Sequence, residues 1–223
     1  MKKRVRFILV GVIFISFLGN QAYADSGGTG IAVKASTLGA GVELTKQIFP
    51  SINVRLGVNG YDYEYSGKKR EIDYDIDLKL FSAAGLIDWY PFSGDFRLTA
   101  GALWNGNKID LQAKPMTSYI IGDTTYTPSQ VGSLKGSIEF NSVAPYAGIG
   151  WGNAASKSRK WGITFDLGVV YQGSPDITLT ADGTLASNAA FLAELEKEKL
   201  RLEDSLDEYE YYPVVSLGIY YRF

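Results

Sequence analysis

The last residues of the chain, 213–223, alternate between two kinds of side chain. Every second position is large and apolar, and these positions are Val215, Leu217, Ile219, Tyr221 and Phe223. Most positions between them are small or polar, as at Ser216, Gly218 and Arg222. Because side chains in a β-strand point alternately to opposite faces, this repeat is that of a strand with unlike surroundings on its two sides. We therefore predict that the chain ends in a β-strand.

The same alternation recurs from Gly30 onward, in runs that are separated by turns. The runs predict eight strands: 30–36, 38–47, 52–65, 72–89, 96–111, 137–152, 160–172 and 210–223. Only a change of phase near Ala35–Thr37 separates the first two, which indicates either a bulge in one long strand or a tight hairpin between two short ones. A count of eight requires the hairpin. The predicted fold is all-β, an up-and-down antiparallel barrel.

Side-chain volume predicts which face of the strands points outward. The polar face is rich in glycine, as at Gly148, Gly150 and Gly168, whereas the apolar face carries rings such as Trp104 and Trp151. The interior of an eight-stranded barrel is only just wide enough for side chains, so the large rings must lie outside, where lipid tolerates them. The opposite arrangement would place a set of charges in hydrocarbon, at about 2–4 kcal/mol for an arginine at the midplane. That set is Arg55, Asp73, Asp75, Asp77, Arg97, Asp166 and Arg222. The barrel is therefore predicted to be transmembrane.

Residues 1–24 have the pattern of a secretory signal peptide. Basic residues come first, Phe7–Leu18 form an apolar core, and Ala22–Ala24 offer small residues for cleavage. The apolar core is too short to span a bilayer as a helix, which needs roughly 20 residues. Cleavage would leave residues 25–223 as one barrel domain. Losing four basic residues would take the formal net charge from −2 to −6, which argues against a nucleic-acid partner.

The connections between strands differ in length, which predicts the topology. Short connections at 48–51, 90–95 and 153–160 suit the periplasmic side. Long connections at 113–135 and 173–209 suit the outside. The second long connection contains a helical pattern at 188–206, with leucines at near-heptad spacing. We interpret it as a solvated helix packed over the mouth of the barrel; a partner-binding helix is the alternative.

The terminal strand resembles the C-terminal signal of bacterial outer-membrane β-barrels, which ends in Phe after alternating apolar residues. As a whole, the predicted chain resembles small eight-stranded barrels of the outer-membrane protein A and X kind. Runs such as Leu86–Phe92 and Ala144–Gly152 are also similar to a group of uncharacterised proteobacterial barrel proteins. The resemblance implies an outer-membrane monomer in contact with lipid and lipopolysaccharide. It also implies that the barrel assembly machinery recognises the terminal strand.

Residue types that are missing from the sequence limit its chemistry. The chain contains no His and no Cys, so a Ser–His–acid mechanism and a thiolate metal site are both excluded. The resemblance implies that an enzyme with this kind of barrel would use His in its mechanism. We predict no catalytic residue, no cofactor and no metal site. A His-independent lipid-modifying enzyme is a remote alternative.

Two groups of charged residues are candidates for a function. The first group is predicted to face the lumen near the periplasmic strand ends: Glu43, Arg55, Asp88, Arg97, Asp166 and Arg222. It predicts a neutral network that fills the lumen, or alternatively a gated or proton-linked path. The second group lies nearer the outer mouth: Asp73, Asp75, Asp77 and Lys79. Its carboxylates are either simply solvated or bind a cation, including the divalent ions that bridge lipopolysaccharide.

Two functions are compatible with these features. The first is a structural or surface-interaction barrel with a charge-filled lumen and no catalysis. The second is a narrow transporter or receptor for a small or hydrophobic ligand, gated by the two long loops.

Overall fold

The computed structural model describes residues 2–6, 28–69, 72–92, 94–115, 117–156 and 159–223. The strands in chain order are β1 (Lys2–Arg6), β2 (Thr29–Ser36), β3 (Gly39–Phe49), β4 (Ile52–Lys69), β5 (Ile72–Trp89), β6 (Phe96–Asn105), β7 (Lys108–Pro115), β8 (Tyr119–Ile121), β9 (Thr124–Tyr126), β10 (Leu134–Glu139), β11 (Val143–Trp151), β12 (Trp161–Tyr171), β13 (Asp176–Ala181) and β14 (Tyr211–Arg222). The helices are α1 (Pro128–Val131) and α2 (Ala189–Leu206), followed by a 3₁₀ turn at Asp207–Glu210.

Eight of these strands form a closed antiparallel barrel. The order around it is β2, β3, β4, β5, β6, β11, β12 and β14, and β14 pairs back with β2. This confirms the predicted all-β barrel and its strand count. We call the end that holds Phe223 the base, and the end from which β4 and β5 continue the rim.

The phase change near Ser36 is a hairpin. β2 and β3 pair from Thr29↔Lys46 to Ser36↔Gly39, so only Thr37 and Leu38 form the turn. Gly39 has a φ of 103°, and a Cβ there would lie 2.6 Å from the carbonyl oxygen of Gly60. Glycine is therefore required at this position, because the backbone is left-handed and the next strand is too close for a side chain.

Two predicted strands were wrong in extent, because each is broken into two. The predicted strand 96–111 is β6 and β7, and the predicted strand 137–152 is β10 and β11. The break after β6 is held by side chains: Asn105 accepts a hydrogen bond from the backbone N–H of Asn107 at 3.2 Å, and Asn107 accepts one from that of Phe81 at 3.0 Å. Past this break β7 pairs with β5 and β10, outside the barrel.

The two long connections are folded and form, with β4 and β5, a module beyond the rim. In this external sheet the order is β4, β5, β7, β10 and β13. The 113–135 connection also contains the β8–β9 hairpin and α1. The predicted helix 188–206 is α2, whose N-terminus is capped by the Asn188 side chain. Helix α2 packs on β13 and the β8–β9 hairpin, around a core formed by Ile121, Tyr126, Val131, Phe191 and Leu195.

The β4–β5 hairpin reverses its apolar face between the barrel and the external sheet. Its register is continuous from Ile52↔Trp89 to Lys69↔Ile72, so no bulge rotates the strands. In the barrel part of β5 the outward positions are odd-numbered, such as Ile87 and Phe81. In the outer part the apolar residues are even-numbered and face inward, whereas the outward positions are charged. The outer-part acidic positions Asp75 and Asp77 therefore lie on the outward face, which corrects the lumen-side prediction for these two residues; of Asp73 the structure describes only the backbone.

The N-terminal region is only partly described. Strand β1 lies antiparallel to Asp62–Ser66 at the free edge of β4. The rest of the predicted signal peptide, 1–24, lies outside the described residues, so its cleavage stays a prediction. Among the described residues, no helix is both long and apolar enough to cross a membrane.

Candidate functional site

Six buried charged side chains meet inside the barrel towards the base. They come from six strands and comprise three cations and three carboxylates: Lys34, Arg55, Arg97, Glu43, Asp88 and Asp166. Equal numbers of each sign make the group neutral. We call it the charge layer. It satisfies the rule that buried charges need partners, because an unpaired ion in this position would cost several kcal/mol.

Asp166 is the centre of the charge layer. Its carboxylate lies 2.8 Å from the Lys34 ammonium, 3.3 Å from the Arg55 guanidinium and 2.5 Å from that of Arg97. It also accepts a hydrogen bond from the Ser216 hydroxyl at 2.9 Å. One carboxylate thus joins β12 to four other strands.

Arg55 joins the remaining two carboxylates. Its guanidinium lies 3.1 Å from Glu43 and 2.6 Å from Asp88. Asp88 also accepts a hydrogen bond from the Thr99 hydroxyl at 2.6 Å. Lys34 closes the ring by donating to Glu43 at 2.9 Å. The result is a continuous network in which each charge has at least two partners.

Glycine leaves the space that the long side chains occupy. A Cβ at Gly150 on β11 would lie 2.8 Å from the Arg97 guanidinium. A Cβ at Gly148 or Gly168 would meet the Tyr146 hydroxyl at 2.6 or 2.4 Å. Gly150 thus leaves room for a guanidinium of the charge layer, and Gly148 and Gly168 leave room for the Tyr146 ring.

An apolar layer lies between the charge layer and the rim. Its buried residues are Leu38, Leu86, Leu103, Ala144, Tyr146, Val170 and Val214. The cavity left between the two layers is about 50 Å³ and is lined by residues of both. Such a volume accommodates a few water molecules, each of which needs roughly 10–15 Å³. The lumen is therefore filled over this part of its length.

The base of the barrel is closed by the chain itself. The turn after β11, predicted to be a polar periplasmic connection, buries Ala154 and Ala155 inside the base. Ala154 packs with Tyr220 and Ala32, and the Asn153 side chain accepts a hydrogen bond from Asn53 at 3.0 Å. Arg97 of the charge layer donates to the Gly152 carbonyl oxygen. This turn therefore forms a third layer beneath the charges.

The structure brings most of the predicted lumen charges together, but the charge layer contains one residue that was not predicted and lacks one that was. Glu43, Arg55, Asp88, Arg97 and Asp166 all belong to the charge layer. Sequence reasoning missed Lys34, although it alternates with Ile31 and Val33 and so shares the lumen face. Arg222 is half-buried near the base, and no ion pair joins it to the described residues.

The acidic row of β5 lies in the external sheet. Lys79 donates to Asp77 at 2.9 Å, and this hydrogen bond raises the pKa of Lys79. Asp75 is exposed, and the backbone of Asp73 lies opposite that of Lys114. Within the described part of the chain, no group of three or more acidic residues is arranged to hold a metal ion.

The tip of the β8–β9 hairpin is clamped to α2 by exposed charges. Arg201 donates to the Asp123 carboxylate at 2.6 Å and to the Gly122 carbonyl oxygen at 2.7 Å. The backbone N–H of Asp123 donates to Glu194 at 2.7 Å, and Lys197 contacts the same carboxylate at 2.7 Å. The bonds from Arg201 and then Lys197 lower the pKa of Asp123.

The outer surface of the barrel is apolar and is bounded by aromatic rings. Val215, Leu217 and Ile219 of the predicted assembly signal are exposed there, with Ile219 exposing 61% of its surface. At the base, the Tyr221 ring packs on Trp161 and Phe223, with centroids 4.7 and 5.4 Å apart. Rings also lie near the rim, where the paired Tyr171 and Tyr211 have centroids 5.2 Å apart. The aliphatic residues of β14 lie between these two groups of rings.

Comparisons with known proteins show the fold. No protein-family model matches the chain, and no curated protein sequence does so either. The crystal structure of Acinetobacter baumannii CarO2 is similar, with a TM-score of 0.60 and 23% sequence identity over 90% of this chain and 100% of that one. The crystal structure of Acinetobacter baumannii CarO has a TM-score of 0.56 and 21% identity over 89% of this chain and 98% of that one. This chain therefore shares the fold of the CarO proteins along nearly all of its length.

Proposed function

We propose that this protein is an outer-membrane β-barrel that anchors a folded module at the cell surface and neither conducts solutes nor catalyses a reaction. The observation that carries the proposal is the filled lumen. Three successive layers, one of charges, one apolar and one formed by the turn at 152–156, occupy the barrel between rim and base. The cavity of about 50 Å³ between the charge layer and the apolar layer has room for only a few water molecules.

The outer surface supports the location in a membrane. Exposed Leu56, Ile87, Phe165 and Leu217 belong to different strands of one barrel and would be unfavourable in water. Residues 81–89 of β5 have the length of a tilted transmembrane strand, roughly 9–11 residues. Rings at both ends of this apolar band fit the two interfaces of a bilayer. A closed barrel also leaves no unpaired strand edge in lipid.

The external module supports a surface role. It has its own hydrophobic core around Phe191 and its own charge clamp at Asp123, so it is a folded unit rather than a pair of gating loops. The three layers described above fill the barrel beneath this module. A protein with this design offers its outer surfaces for contact, and the barrel holds them at the membrane.

Single-channel recording in planar lipid bilayers tests the proposal. The reconstituted protein is expected to give no discrete conductance steps, because the three layers leave no continuous water path. Steps that change in size or frequency when residues 188–206 are deleted would instead favour the gated transporter. Mass spectrometry of lipid A from cells with and without the protein addresses the enzyme alternative; the proposal expects identical spectra.

A further inference from the structure

The outer part of β4 is an edge of the external sheet. Strand β3 stops pairing with β4 at Gly60, whereas β4 continues beside β5 as far as Lys69. Along residues 61–69, the side of β4 that faces away from β5 therefore has backbone N–H and C=O groups that no other strand of the module uses. Among the described residues, β1 is the only segment that pairs there. An edge of this kind is a ready site for an added strand.

The side chains along this edge alternate in chemistry. Asp62 and Glu64 lie on the outward face, and tyrosines such as Tyr63 lie between them on the inward face. Glu64 lies opposite Asp77 of β5, and like charges at directly opposite positions repel each other. Lys79 pairs with Asp77, but none of the side chains that the structure describes forms an ion pair with Glu64. The edge therefore has acidic charge that an incoming cation would neutralise.

Strand β1, whose sequence is KKRVR, indicates what kind of strand matches this edge. Its antiparallel register places Arg4 opposite Glu64. Two residues farther on, Arg6 lies opposite Asp62, and Val5 between them lies opposite a tyrosine. Opposite charges at facing positions, and a β-branched residue facing an aromatic one, are favourable cross-strand pairs. Because β1 belongs to the predicted signal peptide, cleavage would remove it and leave the edge open.

The charges of the edge select against a second copy of this chain. Two β4 edges paired antiparallel about Tyr63 would bring Asp62 of each copy opposite Glu64 of the other, so both pairs would be of like charge. The opposite edge of the external sheet is β13, whose sequence DITLTA contains no basic residue. The strand that matches β4 therefore comes from another protein.

We propose that the β4 edge at residues 61–69 binds an extended segment of another protein as an added antiparallel strand, and that this segment has basic residues at alternate positions with an apolar residue between them. The proposal rests on the surface role proposed above and gives the chemistry of the partner. Main-chain hydrogen bonds supply affinity, and the pairing of basic residues with Asp62 and Glu64 fixes the register. The same two carboxylates keep the edge from pairing with copies of itself.

The test uses protein purified from outer membranes of cells that express the full chain. Mass spectrometry first identifies its N-terminus; retention of residues 1–24 would overturn the proposal, because β1 would keep the edge covered. A fluorescent peptide with the sequence of residues 1–7 is then titrated into the protein in detergent, and its anisotropy is recorded. We expect saturable binding, and the absence of binding would overturn the proposal.

Backbone methylation distinguishes strand addition from a general attraction between charges. Two further peptides have N-methyl groups at alternate residues, one at the even-numbered and one at the odd-numbered positions, and both keep all their charges. Because only one of these sets of amides faces β4, one peptide should lose about tenfold or more in affinity and the other should bind like the parent peptide. Equal affinity of the two methylated peptides would overturn the proposal. This comparison needs no variant of the protein.

Charge reversal tests the register. Glu64→Lys should weaken binding about fivefold, because a favourable cross-strand pair becomes a repulsive one, and a peptide with Arg4→Glu should restore it. The matched control is Asp176→Lys, the same reversal at an exposed position of the opposite edge, which should leave the affinity unchanged. Heat-modifiable migration in gels checks that each variant is folded.

Two outcomes of the charge reversal would overturn the proposal. One is equal affinity of the wild type and folded Glu64→Lys, and the other is an equal loss in Asp176→Lys. Conductance steps in the bilayer experiment would contradict the closed lumen and leave peptide binding unaffected, so the two proposals fail separately.

Discussion

The two halves of the β4–β5 hairpin are built in opposite ways. In the barrel half, outward positions such as Leu56 and Ile87 are apolar and exposed, while Arg55 and Asp88 are buried inside. In the outer half, outward positions such as Asp77 carry charge. The backbone register does not change between the halves, so only the surroundings of the two faces can account for the reversal. Its position, near Gly60 and Phe81, marks the outer boundary of the proposed membrane.

This comparison shows that the face on which a strand carries its apolar residues depends on the medium that surrounds the strand. In water, the apolar face packs inward and the charged face is solvated. In lipid, the bulky apolar face is outside and charges survive only as a closed network. The same two strands show both arrangements, so substitutions that are alike in chemistry should have unlike effects in the two halves.

The largest effect is expected when the charge layer loses a cation. Arg97→Ala removes one of the three cationic partners of Asp166 and leaves the buried charge layer with one more carboxylate than it has cations, which should destabilise the barrel by about 3–5 kcal/mol. Urea unfolding in lipid vesicles, followed by tryptophan fluorescence, measures this. Arg201→Ala in the exposed clamp is the comparison and should leave barrel unfolding unchanged. Equal stability of the wild type and Arg97→Ala would show that the network contributes nothing.

Truncating a core side chain of the external module should cause a comparable loss of stability, and the loss should be confined to the module. Phe191 is 1% exposed, and Phe191→Ala should destabilise the module by about 3–5 kcal/mol. Hydrogen exchange should then rise in α2 and the β8–β9 hairpin, while the barrel strands keep their protection. Leu192→Ala changes the next residue of the helix, which is 48% exposed, and should have little effect. Loss of protection in the barrel as well would mean that the two regions do not fold independently.

An arginine should be tolerated on one half of the hairpin and not on the other. Leu56→Arg places a charge on the apolar outer surface and should cost about 2–4 kcal/mol. Asp75→Arg places the same side chain on the outward face of the outer half, where an exposed substitution changes stability by about 0.5 kcal/mol or less. Vesicle unfolding of both variants measures the difference. Similar costs at the two positions would mean that the proposed membrane boundary does not lie between them.

The smallest effect concerns pH and the hairpin clamp. The pKa of Asp123 is lowered by Arg201 and then Lys197, and that of Glu194 is lowered first by the backbone N–H of Asp123 and then by Lys197. A carboxyl with a lowered folded pKa stabilises the fold above its unfolded pKa of about 4, and this contribution is lost as pH falls through the folded value. Protection of the Asp123 amide, which donates to Glu194, should therefore fall below about pH 4. The dependence should be weaker in Asp123→Asn and absent in the double variant with Glu194→Gln. If protection in the double variant depended on pH as it does in the wild type, the clamp would be excluded as the cause of the pH dependence.

The alternation in the sequence was sufficient to predict the barrel, its eight strands and its outward apolar face. The signal is strong because every strand of a barrel in lipid must repeat it. The phase reversal was also present in the sequence, since the apolar residues of β4 change from even positions, such as Val58, to odd positions, such as Tyr61. It was overlooked because each run alternates perfectly by itself.

Other features depend on contacts that alternation does not encode. Lys34 belongs to the charge layer through distances to Glu43 and Asp166, residues that are far from it in sequence or on another strand. The pairing of β7 with β5 follows from two asparagine hydrogen bonds at a break in one apparent strand. The core around Phe191 joins the two long connections, and the predicted helix 188–206 in one of them gives no sign of its partners in the other.

The reversal of faces in β5 can be measured directly, because the chain has no cysteine and a single introduced one is therefore the only site that a thiol-reactive label attaches to. Spin labels attached one at a time at odd positions from 75 to 87 are examined in lipid vesicles by power saturation with oxygen and with a water-soluble nickel complex. We predict that labels at 81, 83 and 87 respond to oxygen and labels at 75, 77 and 79 respond to nickel, with the change between 79 and 81. A uniform response along all of these positions, or a change at another point of the strand, would contradict the account.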